Sequence, residues 1–225
     1  MAHCTFTALR INNLTVHLPS TLKRFLLFLF AALYFFVLKV NAQNVDVDIL
    51  KSINPRYPTS KVWEAVSGSG YWLTAAVPVG QITYGLLAKD KKAQHDALET
   101  AISLGIASII SETLKRTINA TRPADKYPNE IFVTDPKHGR AFPSGHATLA
   151  FATAASLTIE YKKWYIAVPA YAWASAVGYS RMYRGYHLPS QVLSGAAFGI
   201  GSAYASHWIT NKLWKQKEKS KAVDF

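Results

Sequence analysis

Apolar residues cluster in long runs separated by short polar breaks, and the runs differ in kind. Residues 25–38 (FLLFLFAALYFFVL) are unbroken apolar sequence between Lys23-Arg24 and Lys39. Residues 65–88 carry no charge, are rich in Gly, Ala and aromatics, and are long enough to span a bilayer, with Pro78 placed to kink the helix. Between 93 and 118, Leu98, Ile102, Gly105, Ile106, Ile109, Ile110 and Leu114 recur at the helical period, which predicts an amphipathic helix bearing Glu99 and Glu112. Its uncharged stretch, 100–111, is too short to span, so in lipid both glutamates must face the bundle interior or its ends. Three further apolar runs follow, over 144–159, 164–180 and 188–211. No strand-like alternation competes with them. The pattern predicts an all-α helical bundle of five core helices, transmembrane in character, preceded by an N-terminal signal or anchor segment. Residues 119–143, with Pro123, Pro128, Pro136 and Pro143, form a connection long enough to be functional.

The 14-residue run 25–38 is shorter than the roughly 20 residues of a spanning helix and is followed by Val40-Asn41-Ala42, small residues of the kind that precede a cleavage point. Residues 1–42 therefore read as a signal peptide or an uncleaved anchor, 43–61 as an extracytoplasmic lead-in, 62–213 as the helical domain and 214–225 as a basic tail. The single cysteine, Cys4, excludes an internal disulfide framework and zinc sites built on several thiolates.

Charge changes the picture next. The chain has 25 Lys+Arg against 13 Asp+Glu, a net +12 that invites a nucleic-acid reading. Removal of Arg10, Lys23, Arg24 and Lys39 with the leader, and of no acid, lowers +12 to +8. Lys89, Lys91 and Lys92 lie between the first and second helices, Lys162 and Lys163 between the third and fourth, and Lys212, Lys215, Lys217, Lys219 and Lys221 after the fifth. In an up-and-down bundle all ten fall at one end, and the positive-inside rule makes that end cytoplasmic and the Pro-rich loop extracytoplasmic. The lysines are spread over three loops without interleaved aromatics or a reading module, which argues against nucleic acid. Gly195-x-x-x-Gly199 gives the fifth helix the small-residue spacing of close helix contacts.

The other end collects the chemistry. Lys115 and Arg122 are seven residues apart, two turns of a continuous helix, so both cations face one spot, and Pro123 ends that helix. Pro143-Ser144-Gly145-His146 opens the third helix with a serine cap and exposed N–H groups that favour an anion. Ser180-Arg181 closes the fourth helix, followed by His187 and, opening the fifth, Gln191. Taken singly, each group has a structural explanation as a cap, an interfacial anchor or a loop-to-helix junction. Three permanent cations, a helix start and two histidines at one end match what phosphoryl transfer requires.

The strings K-x6-R-P (115–123), P-S-G-H (143–146) and S-R-x5-H (180–187), in this order, resemble the type-2 phosphatidic acid phosphatase superfamily, which includes class A acid phosphatases, glucose-6-phosphatases and vanadium haloperoxidases. The resemblance covers about residues 60–211. It implies that His187 attacks phosphorus to form a phosphohistidine and that His146 protonates the leaving oxygen and then activates water. It further implies that Lys115, Arg122 and Arg181 hold the phosphate, helped by the Ser144 hydroxyl and Gly145 backbone. No metal and no cofactor are implied, and no cluster of carboxylates and histidines in the sequence offers a metal cage. One position departs from the usual H-x3-D pattern, because His187 is followed at that spacing by Gln191. An amide fixes the tautomer as a carboxylate does but brings no charge. Glucose-6-phosphatases and dolichyl pyrophosphatases of the superfamily also look like H-x3-Q here.

The expected function is thus hydrolysis of a lipid phosphate or diphosphate at the extracytoplasmic face of a membrane bilayer, without nucleic acid as a partner. Two alternatives stand beside it. One is a soluble secreted or periplasmic acid phosphatase, and the other a phosphate-binding relic disabled by Gln191.

Overall fold

In a computed structural model the described residues run from 42 to 223, with side chains described from 45 to 213. The expected leader run 25–38 and Cys4 lie outside them. The described residues form seven helical segments: α1 Ala42–Ile53, α2 Lys61–Leu87, α3 Lys91–Ile118, α4 Pro123–Lys126, α5 Gly145–Tyr161, α6 Trp164–Tyr183 and α7 Pro189–Val223. The five long ones are the five apolar runs of the sequence, and no strand occurs among the described residues.

Local chemistry sets their ends. Asp90 caps α3, its carboxylate accepting from Lys92 N at 2.8 Å and Ala93 N at 3.2 Å. Asn119 closes α3 in the left-handed region, φ 48°, with its N–H donating to the Lys115 carbonyl. This corrects the expectation of one helix running to Pro123. Lys115 sits in the last turn of α3, whereas Arg122 has extended backbone, φ −69° and ψ 149°, and precedes Pro123 at the start of α4. An Asn that tolerates the left-handed conformation stops the helix earlier than the proline does. Proline then takes the first-turn position, where its missing N–H costs nothing. At the other expected irregularity, α2 continues through Pro78 as one element.

α5 is the central helix and packs against α2, α3, α6 and α7. Its buried face is nearly all small: Ala147, Ala150, Ala152, Ala154 and Ala155 are fully or almost fully enclosed. Small side chains let neighbouring backbones approach, and the glycines of α7 exploit this. A Cβ on Gly195 would lie 2.8 Å from the Ser144 carbonyl, and one on Gly199 would collide with the Thr148 carbonyl and stand 2.8 Å from Ala152 N. Ala150, Ala154, Ala174 and Val177 form the apolar centre between α5 and α6.

At the lysine end the bundle buries polar groups in matched sets. Glu99 is enclosed, its carboxylate meeting His207 Nδ1 at 2.8 Å and accepting from Thr210 Oγ1 at 3.1 Å. Glu160 accepts from Thr100 Oγ1 at 2.6 Å and Gln81 Nε2 at 2.5 Å. Glu112 is exposed at the opposite end and pairs with Arg116 at 2.7 Å. Both glutamates of α3 therefore sit where a lipid-embedded helix can carry them.

Among the described residues one stretch, Lys91–Lys126, is long and apolar enough to cross a membrane by length and composition. The Ile and Leu of α3 outweigh its two glutamates over such a window, whereas α2 and α7 are diluted by Gly, Ser, Thr, Tyr and Trp.

Candidate active site

The site lies where α2 begins, α3 and α6 end, and α5 and α7 begin. His187 sits in the turn between α6 and α7 and is 3% exposed. Its Nδ1 faces two oxygens, the Ala141 carbonyl at 2.9 Å and Gln191 Oε1 at 3.2 Å. Gln191 Oε1 also accepts from the Leu188 N–H at 3.1 Å, which fixes the amide with its oxygen toward the ring. Both neighbours of Nδ1 can only accept, so Nδ1 carries the proton and Nε2 keeps a free lone pair. Burial, with Arg181 and Arg122 beside it, holds the ring well below the ordinary imidazole value of 6.5, so the neutral form dominates near neutral pH.

The cations surround this ring from separate elements. Arg181, near the end of α6, is 5% exposed, donates through Nη1 to Ser67 Oγ of α2 at 2.6 Å, and stacks over the Tyr186 ring at 4.3 Å. Arg122 donates through Nη1 to the Tyr186 carbonyl at 3.3 Å. Nε of each guanidinium is buried without a protein partner. Lys115 comes from α3, one turn after Ser111. A Cβ built on Gly145 would be 3.0 Å from Lys115 Nζ and 3.7 Å from Ser111 Oγ, so the absent side chain leaves room for the ammonium beside the α5 start. Ser144 heads α5 without capping it through its side chain; its Oγ, like that of Ser111, is buried without a protein partner. The Ser144 N–H donates to the Gln191 carbonyl at 3.0 Å, and the first N–H to pair back into α5 is that of Thr148. The N–H groups of Gly145, His146 and Ala147 thus precede the helical ladder and favour an anion.

His146 packs against α2, with its ring 4.1 Å from that of Tyr71, and a Cβ on Gly70 would stand 3.3 Å from His146 Cδ2. Lys115, Arg122, Ser144, Gly145, His146, Arg181, His187 and Gln191 are therefore all brought to one end of the bundle. Sequence reasoning missed Ser111, Ser67, Tyr71 and the Ala141 carbonyl. The i, i+4 placement of Ser111 before Lys115 was a usable signal; the carbonyl of Ala141 had none. Among the described residues no group of three or more His, Cys, Asp or Glu is placed to hold a metal ion.

A neutral, buried imidazole with a free Nε2 lies beside Arg181 and Arg122, at the end of the bundle that also carries Lys115 and the α5 start, an arrangement that favours an anion such as phosphate. The sequence profile of the PAP2 superfamily matches residues 96–215, and the chain belongs to that superfamily. It is 36% identical over 95 residues to the lipid A 1-phosphatase of Porphyromonas gingivalis, 41% of this chain and 21% of that protein. It is 29% identical over 140 residues to the undecaprenyl-diphosphatase of Sulfolobus acidocaldarius, 61% of this chain and 67% of that one. The match thus spans about a fifth of the first relative and two thirds of the second. The fold superposes with a TM-score of 0.62 on a transmembrane PAP2 type phosphatidylglycerolphosphate phosphatase from Bacillus subtilis, at 23% identity, covering 85% of this chain and 95% of that one.

Proposed function

We propose that the chain is a membrane-embedded phosphatase that removes phosphate from a lipid phosphate or diphosphate on the extracytoplasmic side, through a phosphohistidine on His187. The observation that carries this reading is the double commitment of His187 Nδ1 to the Ala141 carbonyl and Gln191 Oε1. It leaves Nε2 as the nucleophile among cations whose Nε groups have no other partner. Names of the relatives support a lipid-linked substrate. So does the exposure of large apolar side chains around the bundle, such as Trp72 at 80%, Leu87 at 81% and Trp164 at 77%.

Nε2 attacks phosphorus, the P–O bond to the leaving group breaks, and His146 gives its proton to the departing oxygen. Arg122, Arg181, Lys115 and the α5 start neutralise the equatorial oxygens as charge develops there. Water then attacks the phosphorus of the N–P bond with His146 as base, releasing inorganic phosphate and restoring neutral His187. The Ala141 carbonyl and Gln191 Oε1 accept hydrogen bonds from Nδ1–H throughout and hold the imidazolium-like ring in place. The extra acceptor from the backbone explains how a site without the usual carboxylate can work. In this reading residues 62–213 form the catalytic bundle, 214–225 a basic tail, and no metal takes part.

A panel of a polyprenyl diphosphate, a lipid monophosphate and an aryl phosphate tests the substrate class, with phosphate release measured in detergent and in EDTA. Fastest turnover on a lipid substrate, unaffected by the chelator, is expected. Preference for the aryl ester would instead point to a soluble acid phosphatase.

A further inference from the structure

α1 lies ahead of the residues matched by the family profile, 96–215, yet it reaches into the site. Val47 and Leu50 bury its inner face. From the same turn as Val47, the Asp46 carboxylate accepts from the Ser190 N–H at 2.9 Å through Oδ1 and from Ser190 Oγ at 2.5 Å through Oδ2. Ser190 belongs to the first turn of α7, whose N–H groups have no partner within the helix. A carboxylate there satisfies an orphan donor and meets the positive end of the helix dipole. The next residue is Gln191, whose side chain faces His187 Nδ1 and whose carbonyl holds the Ser144 N–H.

The end of the same segment makes a second attachment. Asn54 is 5% exposed, and its Nδ2 donates to the carbonyls of Phe132 at 2.9 Å and Tyr183 at 2.8 Å, while Oδ1 accepts from Phe132 N at 2.7 Å. It ties the 119–143 loop to the end of α6. The contact is tight: Gly185, at φ 71°, would place a Cβ 2.5 Å from the Phe132 carbonyl. Lys51 pairs with Glu130 on the same loop.

We propose that α1 is a positioning element of the phosphatase site, in which Asp46, acting through Ser190 and Gln191, holds the imidazole of His187 in its attacking orientation. Asp46 touches neither substrate nor nucleophile. Without it the first turn of α7 loses its cap, and Gln191 Oε1 no longer stays within reach of Nδ1. Lys115, Arg122 and Arg181 stand on other elements and keep their grip on phosphate, so the loss falls on turnover and not on binding. The inference rests on the reading of His187 as nucleophile.

The test uses the full chain in detergent with an aryl phosphate and a polyprenyl diphosphate, comparing Asp46→Ala, Ser190→Ala, their combination, Asp48→Ala and His187→Ala. Asp48 is a neighbouring, 72% exposed acid on α1 and serves as the control. Asp46→Ala, which removes both acceptors of the cap, is expected to lower kcat about tenfold with KM within about twofold, and the double variant to be no slower than Asp46→Ala, because the two act through one contact. A kcat for Asp46→Ala equal to that of Asp48→Ala, a change confined to KM, or additive losses in the double variant would overturn the proposal. Should Asp46→Ala not fold, Ser190→Ala, which removes the hydroxyl half of the contact, decides: its kcat is expected to fall about threefold, and an unchanged kcat overturns the proposal. If His187→Ala keeps full activity, the nucleophile reading itself fails; if His187→Ala is inactive while Asp46→Ala is normal, only the role of α1 fails.

Discussion

At the scale of single residues, the site leaves selected buried atoms without protein partners. Ser144 Oγ, Ser111 Oγ and the Nε of Arg122 and Arg181 are buried and unpaired, an arrangement that costs stability unless an anion supplies the missing acceptors. Gly145 belongs to the same design. Gly145→Ala places a methyl 3.0 Å from Lys115 Nζ and forces the ammonium to shift, so kcat/KM is expected to fall about a hundredfold while the protein remains folded, as steady-state kinetics and circular dichroism can check. Gln191→Ala is expected to be milder, about tenfold in kcat, because the Ala141 carbonyl still accepts from Nδ1; activity as low as that of His187→Ala would show that the backbone acceptor does not suffice. The tautomer is directly observable. The depressed ionisation of His187 keeps the ring neutral as pH falls through 6.5, so its 15N signals should report a neutral, Nδ1-protonated ring on both sides of that value. An ordinary histidine would become cationic below it. The gathering of these side chains at one end of the bundle was legible because short strings of cations, Ser-Gly-His and a second His stand at helix ends that an up-and-down bundle brings together. Ala141 was not legible, since a backbone carbonyl has no residue-type signature.

Helices and their junctions show where sequence reading stops. The five long helices follow from uncharged runs and periodicity, and the small-residue spacing of α7 correctly marks its closest packing, against α5. Gly199→Ala drives a Cβ into backbone that cannot yield, with an expected loss of about 2 kcal/mol or more, read as a fall in thermal midpoint. Gly105→Ala meets nothing within 4 Å and should be neutral or slightly stabilising. The junction after α3 departs from the sequence expectation because Asn119, which tolerates the left-handed region, ends the helix before Pro123 does. Arg122 consequently approaches the site from a separate turn, and the two cations reach it from independent supports. The role of α1 could not be foreseen at all. Asp46 and Asn54 make contacts 144 and 78 residues away, and nothing local in a polar lead-in announces them.

For the whole molecule, the charge is unevenly placed: Lys89, Lys91, Lys92, Lys162 and Lys163 lie at one end of the bundle, and Lys115, Arg122 and Arg181 at the other. That polarity, with exposed apolar side chains between the two ends, supports a bundle that sits in a bilayer with its site outside. Carbonate washing should leave the protein in the membrane pellet; recovery in the supernatant would favour a secreted enzyme. The proposed chemistry turns on the covalent step at His187. Rapid quenching of the enzyme with a 32P-labelled polyprenyl diphosphate measures it most directly. Acid-labile, alkali-stable label on the wild-type chain and none on His187→Ala is the predicted result. Turnover by the wild type without such label, or label undiminished in His187→Ala, would contradict the account.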